Sequence, residues 1–464
     1  MALPTHRRLR SASISVHCVA GALLLGVAGC SGGSPSDETG AARGWTASGV
    51  NAVSRPMAGA GVAAVTGLRS DGSLETSVFD LAGGERLWTR PATMVGRLSG
   101  MGVQPPAVTG TGDRGLVTAL EPQKTGKWNA TLVARDARTG AERWTRPVDS
   151  TFGPVRCGPN VCLSEFTARE NARFAALDPA SGRALWTMPG VAEVQHADAS
   201  TVVLFRMERR PALEARDLRT GRTRWSLPVD RVLGAGVNLS GGWTFGAVGG
   251  ARSAADGMLV GYLAPYQARK NGPMSPYGFF GVRMSDGGLV WTRKRLLRVY
   301  PSANPAVALI ARQTTDDGGY GGFEQIDPRT GRTTARLGAD KAPGSLWWLS
   351  FPADLTKVGF VTQGKPGTAY ELRSGTPVTD KGLLTWSFCT MTPAELKING
   401  HGGFYPVAAL CAYDMATGRK AASPGAPPAW YTGTADGWRV WRDERGALHG
   451  VRDAQGTAPG MYGI

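Results

Sequence analysis

Six aspartates recur at one place in a repeated turn: Asp80, Asp136, Asp178, Asp217, Asp327 and Asp414. Carboxylates spaced this way could ligate Ca²⁺, act as general bases, or accept the backbone amides of a tight turn. The last use accounts for them fully, because each sits in a polar turn that a Gly closes. Asp316-Asp317-Gly-Gly resembles part of a Ca²⁺ loop, but the other ligands of such a loop are missing. No G-x-S-x-G, HExxH, P-loop or C-x-x-C-H stretch occurs, and no two cysteines are adjacent. Outside the first thirty residues the histidines are His196, His401 and His449, scattered along the chain. No nucleophile and base stand at a suggestive spacing, and no ligand cluster for a metal is present. The residues therefore predict no enzyme, no metal and no cofactor.

The elements that must position these turns are short hairpins. LDPASGRALW (Leu177 to Trp186) has two extended flanks, an Asp-to-Gly turn and a Trp whose ring needs a neighbouring layer to cover it. The unit repeats as VFDLAGGERLW (Val78 to Trp88), ARDARTGAERW (Ala134 to Trp144) and ARDLRTGRTRW (Ala215 to Trp225). The Trp lies eight positions after the Asp each time. Looser copies start at Gly281, Gln325, Tyr370 and Ala412, which makes eight, mostly spaced by roughly forty residues, the length of a four-stranded propeller blade. Flanks that alternate with period two exclude a helical repeat.

The pattern A-x-D-x-x-T-G-x-x-x-W resembles the PQQ-like, quinoprotein-type β-propeller repeat family. The resemblance runs from about Pro56 to the C-terminus. It implies an all-β fold, a single β-propeller in which Trp88, Trp144, Trp186, Trp225 and Trp291 dock between adjacent blades. Eight blades are expected, with seven as the alternative, and strands from both termini close the ring. The tail, Gly437 to Trp441 and Leu448 to Val451, is expected to complete a first blade that shows only three strands. Non-enzymatic scaffolds and quinone-dependent dehydrogenases share this repeat. The dehydrogenases of the family carry an adjacent Cys pair, acidic and amide Ca²⁺ ligands and a catalytic Asp, a set this sequence does not assemble.

The N-terminus supplies a destination. Arg7, Arg8 and Arg10 precede an apolar run from Ile14 to Ala28, which is shorter than a bilayer span, and Val27-Ala28-Gly29-Cys30 resembles a bacterial lipobox. Residues 1–29 read as a lipoprotein signal peptide, Cys30 as the lipidation site, 30–55 as flexible tether and lead-in, and 56–464 as the propeller. This predicts a monomer on the extracytoplasmic face of the cell membrane, held by its N-terminal lipid. The formal charge of +16 becomes +13 once residues 1–29, with three Arg and no acid, are removed. So basic a surface favours acidic headgroups, wall polymers or acidic proteins, and export excludes nucleic acid. Export also permits disulfides, and local pairing predicts Cys157 with Cys162 across CGPNVC and Cys389 with Cys411.

The longest departure from the repeat period separates Trp225 from Trp291. It holds Tyr262, Tyr266, Arg269, Lys270, Tyr277 and Phe279 among Pro and Gly, the candidate partner-binding residues, since insertions in such folds map to loops on one face. Trp45 lies in a short extended lead-in, Gly44 to Pro56, that can add an edge strand, and its removal is expected to cost under about 1 kcal/mol if the ring is exposed. The function predicted is a non-catalytic, lipid-anchored scaffold for a protein or an anionic envelope polymer. The alternatives are a sensor or solute-binding module using the central channel, and a quinone- or metal-dependent oxidoreductase.

Overall fold

The computed structural model describes residues 44–452 apart from 95–101, 124–129, 167–170, 209, 251–252, 271, 299–308, 315–319, 338–347, 351–356, 363, 379–381, 399–400, 422–426 and 428–432. The leader and Cys30 lie outside the described residues, within or bordering a separate unit that ends at Ala41.

Within the unit that begins at Ala42, the strands form eight four-stranded antiparallel sheets and one two-stranded sheet among the described residues. The first sheet runs Met57–Gly59, Val62–Leu68, Leu74–Asp80 and Arg86–Ala92 in sequence order. Six more sheets follow in the same order, and the seventh ends at Pro377–Val378. The two-stranded sheet pairs Leu384–Ile398 with His401–Asp414. The closing sheet is built from both ends of the unit: Gly433–Ala435, Trp438–Arg442 and Leu448–Arg452, then Trp45–Ala47 as its outermost strand. Its register sets Trp45 opposite Gly450, Thr46 opposite His449 and Ala47 opposite Leu448. The fold is all-β, a β-propeller closed by strands from both ends of the unit.

The tail does not complete the first sheet, contrary to the sequence reading. Met57–Gly59 is that sheet's own fourth strand, too short to register as a periodic pattern, and the tail strands form a separate sheet instead.

Stacking of sheets explains why only some strands alternate. The second strand of a sheet is covered on both faces, so Val62 to Val65 and Val202 to Phe205 are fully buried and read as continuous apolar runs. The outermost strand is half-wet, and Ala184–Pro189 alternates exposed with buried. The core is accordingly a series of layers between sheets. Phe174, Trp186 and Met188 of the third sheet meet Val202 and Leu204 of the fourth. Val203, Phe205 and Leu213 of the fourth meet Leu259 and Phe280 of the fifth.

Antiparallel order puts the first and third turns of every four-stranded sheet at one end, here called the turn face. Leu81 N–H donates to Gly61 O at 3.0 Å, Ala137 to Gly115 at 2.9 Å, Leu218 to Ser200 at 2.8 Å and Met284 to Gly257 at 3.0 Å, each tying the two turns of one sheet together. The second turns and the sheet-to-sheet connections lie at the opposite end, the loop face. Cys157 and Cys162 are disulfide-bonded across a two-residue turn, with Cα atoms 5.8 Å apart. Cys411 is disulfide-bonded as well, and the side chain of Cys389 lies outside the described residues.

Candidate functional site

The repeated aspartates are consumed by their own turns. Asp136 Oδ1 accepts Arg138 N–H at 3.1 Å, Thr139 N–H at 2.9 Å and the Thr139 hydroxyl at 3.0 Å. Asp217 repeats all three contacts with Arg219 and Thr220. Asp80, Asp178, Asp327 and Asp414 each accept from the residues two or three positions on. The Thr139 amide, then the Arg143 guanidinium, hold the Asp136 carboxyl down at about 2. At Asp217 the Arg224 guanidinium leads, followed by Thr220, and the shift is again downward. Asp136 and Asp217 stay ionised, and all six carboxylates are occupied by their own turns, which suits a structural clasp rather than proton transfer.

Where the preceding sheet carries the signature Trp, the Gly that ends the turn takes its ring, whereas Gly375 faces Ala335 and Arg336 of the sixth sheet. Trp88 Nε1–H donates to Ala137 O at 2.9 Å, Trp144 to Pro179 at 2.6 Å, Trp186 to Leu218 at 2.8 Å, Trp225 to Met284 at 2.8 Å and Trp291 to Pro328 at 3.0 Å. The acceptor is always the carbonyl just past the turn's first residue. At Gly221, with φ +72°, a Cβ would lie 2.6 Å from the Trp186 ring, so the position is closed to other residues twice over.

A sixth tryptophan does the same. Trp45 is half-buried, donates to Leu81 O at 2.9 Å and lies over Gly84, where a Cβ would stand 2.5 Å from its ring. The lead-in does supply an edge strand, and Trp45 is not exposed on it but is the docking residue of the closing sheet. Its signal was the Trp-Thr pair that it shares with Trp88, Trp144, Trp186 and Trp291. Beside it the Thr46 hydroxyl meets His449 Nδ1 at 3.0 Å, and His449 Nε2 meets Asp443 Oδ2 at 3.0 Å. With His449 stacked on Trp441 at 5.3 Å, this chain of contacts stitches the closing strand in place.

The insertion does not present the residues expected of it. Tyr262, Tyr277 and Phe279 are buried, and Tyr262 and Phe279 face each other across the hairpin with ring centroids 4.6 Å apart. Arg298 covers the Tyr262 ring at 5.7 Å, and burial pushes that phenol's pKa up. This corrects their reading as partner contacts, since strand pairing continues to Leu263 and Gly278 and turns the rings inward. Arg269 and Lys270 are exposed and Tyr266 half-buried, all on the loop face.

A cavity of about 410 Å³, of the size that holds small ligands, opens among segments leading into the first strands of the first four sheets, together with the closing sheet. Val53, Met57, Val103, Phe152, Phe174 and Val194 give it apolar walls, and Arg55, Arg156, Arg442, Glu193, Gln104 and Gln195 give it polar groups. Arg442 is buried and donates to Ala52 O at 3.0 Å. Glu193 accepts the Trp243 indole N–H at 2.8 Å and the Gln195 amide at 3.1 Å. Gln104 donates to the carbonyls of Pro105 and Pro154. Next along the strand, His196 is buried, and desolvation lowers its pKa. None of these cavity residues was found from the sequence.

A Ca²⁺–quinone group does not fit this donor set. The cavity's one carboxylate is already engaged by an indole and an amide. Among the described residues no three His, Cys, Asp or Glu side chains converge as a metal site would need.

Residues 36–227 match a family model described as outer membrane protein assembly factor BamB. No curated protein matches the chain. Among solved structures, the crystal structure of BamB from Moraxella catarrhalis is similar at 16% identity, covering 89% of this chain and 97% of that one, with a TM-score of 0.43. Quinohemoprotein alcohol dehydrogenase from Comamonas testosteroni is similar at 13% identity, covering 89% and 76%, with a TM-score of 0.45. Sqt1 of Saccharomyces cerevisiae is similar at 9% identity, covering 87% and 96%, with a TM-score of 0.42. Among the described residues no helix is long and apolar enough to cross a membrane. With the recurring Asp-turn-Gly clasps and the tryptophans that dock on them, the chain is a β-propeller that carries PQQ-like repeats over its matched region.

Proposed function

We propose that the chain is a non-catalytic binding propeller, lipid-anchored through Cys30 on the extracytoplasmic face of the cell membrane, that holds a protein or an anionic envelope polymer. The observation that carries this reading is the fate of the repeated acids. Each is bonded to its own turn, so the chemistry that recurs along the chain goes into holding sheets together. What remains for a partner is a strongly basic surface, which suits electrostatic recognition of an anionic one. The cavity on the loop face favours a second reading, a module that takes up a small solute. Its apolar walls and arginines suit a ligand with an apolar body and an acidic group.

Fractionation and crosslinking test the proposal together. Cys30→Ser should move the protein out of the membrane fraction, because acyl chains contribute ~0.8 kcal/mol per buried CH₂. Crosslinked membranes should yield a partner with the parent chain, and that capture should fall when Tyr266, Arg269 and Lys270 are replaced together. Full membrane retention of the Cys30→Ser chain would overturn the anchor. Unchanged capture by the triple variant would move the partner site off the loop face.

A further inference from the structure

We propose that the turn face is a membrane-docking surface that lies against anionic lipid headgroups, leaving the loop face and its cavity turned toward the envelope. The signature turn has two offsets that serve it through the backbone and leave the side chain outside the clasp, the second and fifth residues after its first. The others are taken by the Asp clasp, the hydroxyl, the Gly and the Trp. The sequence fills these two offsets with arginine repeatedly: Arg219, Arg329 and Arg373 at the second, and Arg183, Arg222 and Arg332 at the fifth.

All six are exposed, and the guanidinium of none of them pairs with a carboxylate among the described residues. Other turn arginines are neutralised, as Arg138 is by Asp80 at 2.9 Å and Arg143 by Asp136 at 2.7 Å. Exposed acids on the same face lie on the first two sheets (Glu85, Asp113, Glu142), on the closing sheet (Asp436) and on the fifth (Asp256, and Asp286, which Arg283 pairs at 3.0 Å), whereas the six arginines lie on the third, fourth, sixth and seventh sheets. Because the signature turns of the four-stranded sheets project from the same end, repetition builds an arc of fixed cations on one face. Such residues each strengthen attraction to an anionic membrane by roughly fivefold.

The entry point of the chain selects this partner over a soluble polyanion. Trp45 begins the outermost strand of the closing sheet and bonds to Leu81, in the first signature turn. Gly44 therefore enters on the turn face. Thirteen residues separate it from Cys30, a linker of at most about 50 Å when fully extended. A lipid at Cys30 would bring the arginine arc, rather than the cavity, toward the headgroups. That step rests on the proposed anchor, whereas the arc itself does not.

The test keeps the two separate by using the full-length Cys30→Ser chain in every arm, with no lipid attached. Partitioning onto phosphatidylcholine vesicles is compared with partitioning onto vesicles that also contain phosphatidylglycerol. Replacing the six arginines by Gln should lower binding to the anionic vesicles by at least about tenfold and leave binding to neutral vesicles unchanged. Arg269→Gln with Lys270→Gln, on the loop face, should leave both unchanged. Thermal melting checks each variant, and if the sixfold change lowers the melt, Arg219→Gln with Arg222→Gln takes its place with a severalfold loss expected. Equal binding of the arginine variant and its parent to anionic vesicles would overturn the proposal. So would a loss confined to the loop-face pair, or retention by a soluble acidic polymer with none by vesicles. Loss of membrane retention by Cys30→Ser in cells while the vesicle result holds would leave both anchor and arc standing. Failure of the vesicle result alone would remove only the arc.

Discussion

Replacing Trp186 by Ala should destabilise the protein by about 3–5 kcal/mol, the range for a large ring removed from a packed site. The ring is 8% exposed, donates to Leu218 O at 2.8 Å, rests on Gly221 and packs at 5.6 Å against Phe174. Its loss would leave the Leu218 carbonyl only the 3.5 Å contact from the Asn160 amide and open the layer between the third and fourth sheets. Trp45→Ala belongs to the same class. Sequence context alone would assign it less than about 1 kcal/mol as an exposed lead-in residue. Its docking on Leu81 and Gly84 instead predicts a loss of about 2–4 kcal/mol, lower because the ring is only half-buried. Urea midpoints of the two variants against the parent check this. A shift for Trp186→Ala with none for Trp45→Ala would mean that the closing strand does not hold the ring shut.

Gly221→Ala should cost about 2–5 kcal/mol, through two additive causes. An L-residue at φ +72° costs about 1–2 kcal/mol, and a Cβ only 2.6 Å from the Trp186 ring forces overpacking of about 1–3 kcal/mol more. Gly72 separates the two, having φ +81° with nothing within 4 Å of its Cβ position. Gly72→Ala should therefore show the conformational part alone, about 1–2 kcal/mol. Thermal denaturation of both variants reads the difference. Equal losses would show that the Trp ring does not press on the turn.

The turns were legible because their chemistry is local. Asp, Gly and Trp act within nine residues of one another, so a single hairpin states its own purpose and repetition states the fold. Trp45 escaped for a topological reason: its strand partner, Leu448–Arg452, is about four hundred residues away. The aromatic insertion misled because Tyr262 and Phe279 flank a loop rich in Pro and Gly. Composition cannot tell where strand pairing stops, and it stops after Leu263 rather than before Tyr262. The cavity had no sequence signal at all. Arg55, Gln104, Arg156, Glu193 and Arg442 come from five separate sheets or their leads, and only closure of the ring brings them together.

The functional account turns on whether the ring's chemistry is spent on structure. Calorimetric titration of the full chain with PQQ and Ca²⁺, paired with a dye-linked alcohol and sugar oxidation assay, measures this directly. A binding propeller whose acids are committed to their turns should take up neither and reduce no dye. Stoichiometric uptake accompanied by dye reduction would contradict the account and make the chain a quinone-dependent oxidoreductase.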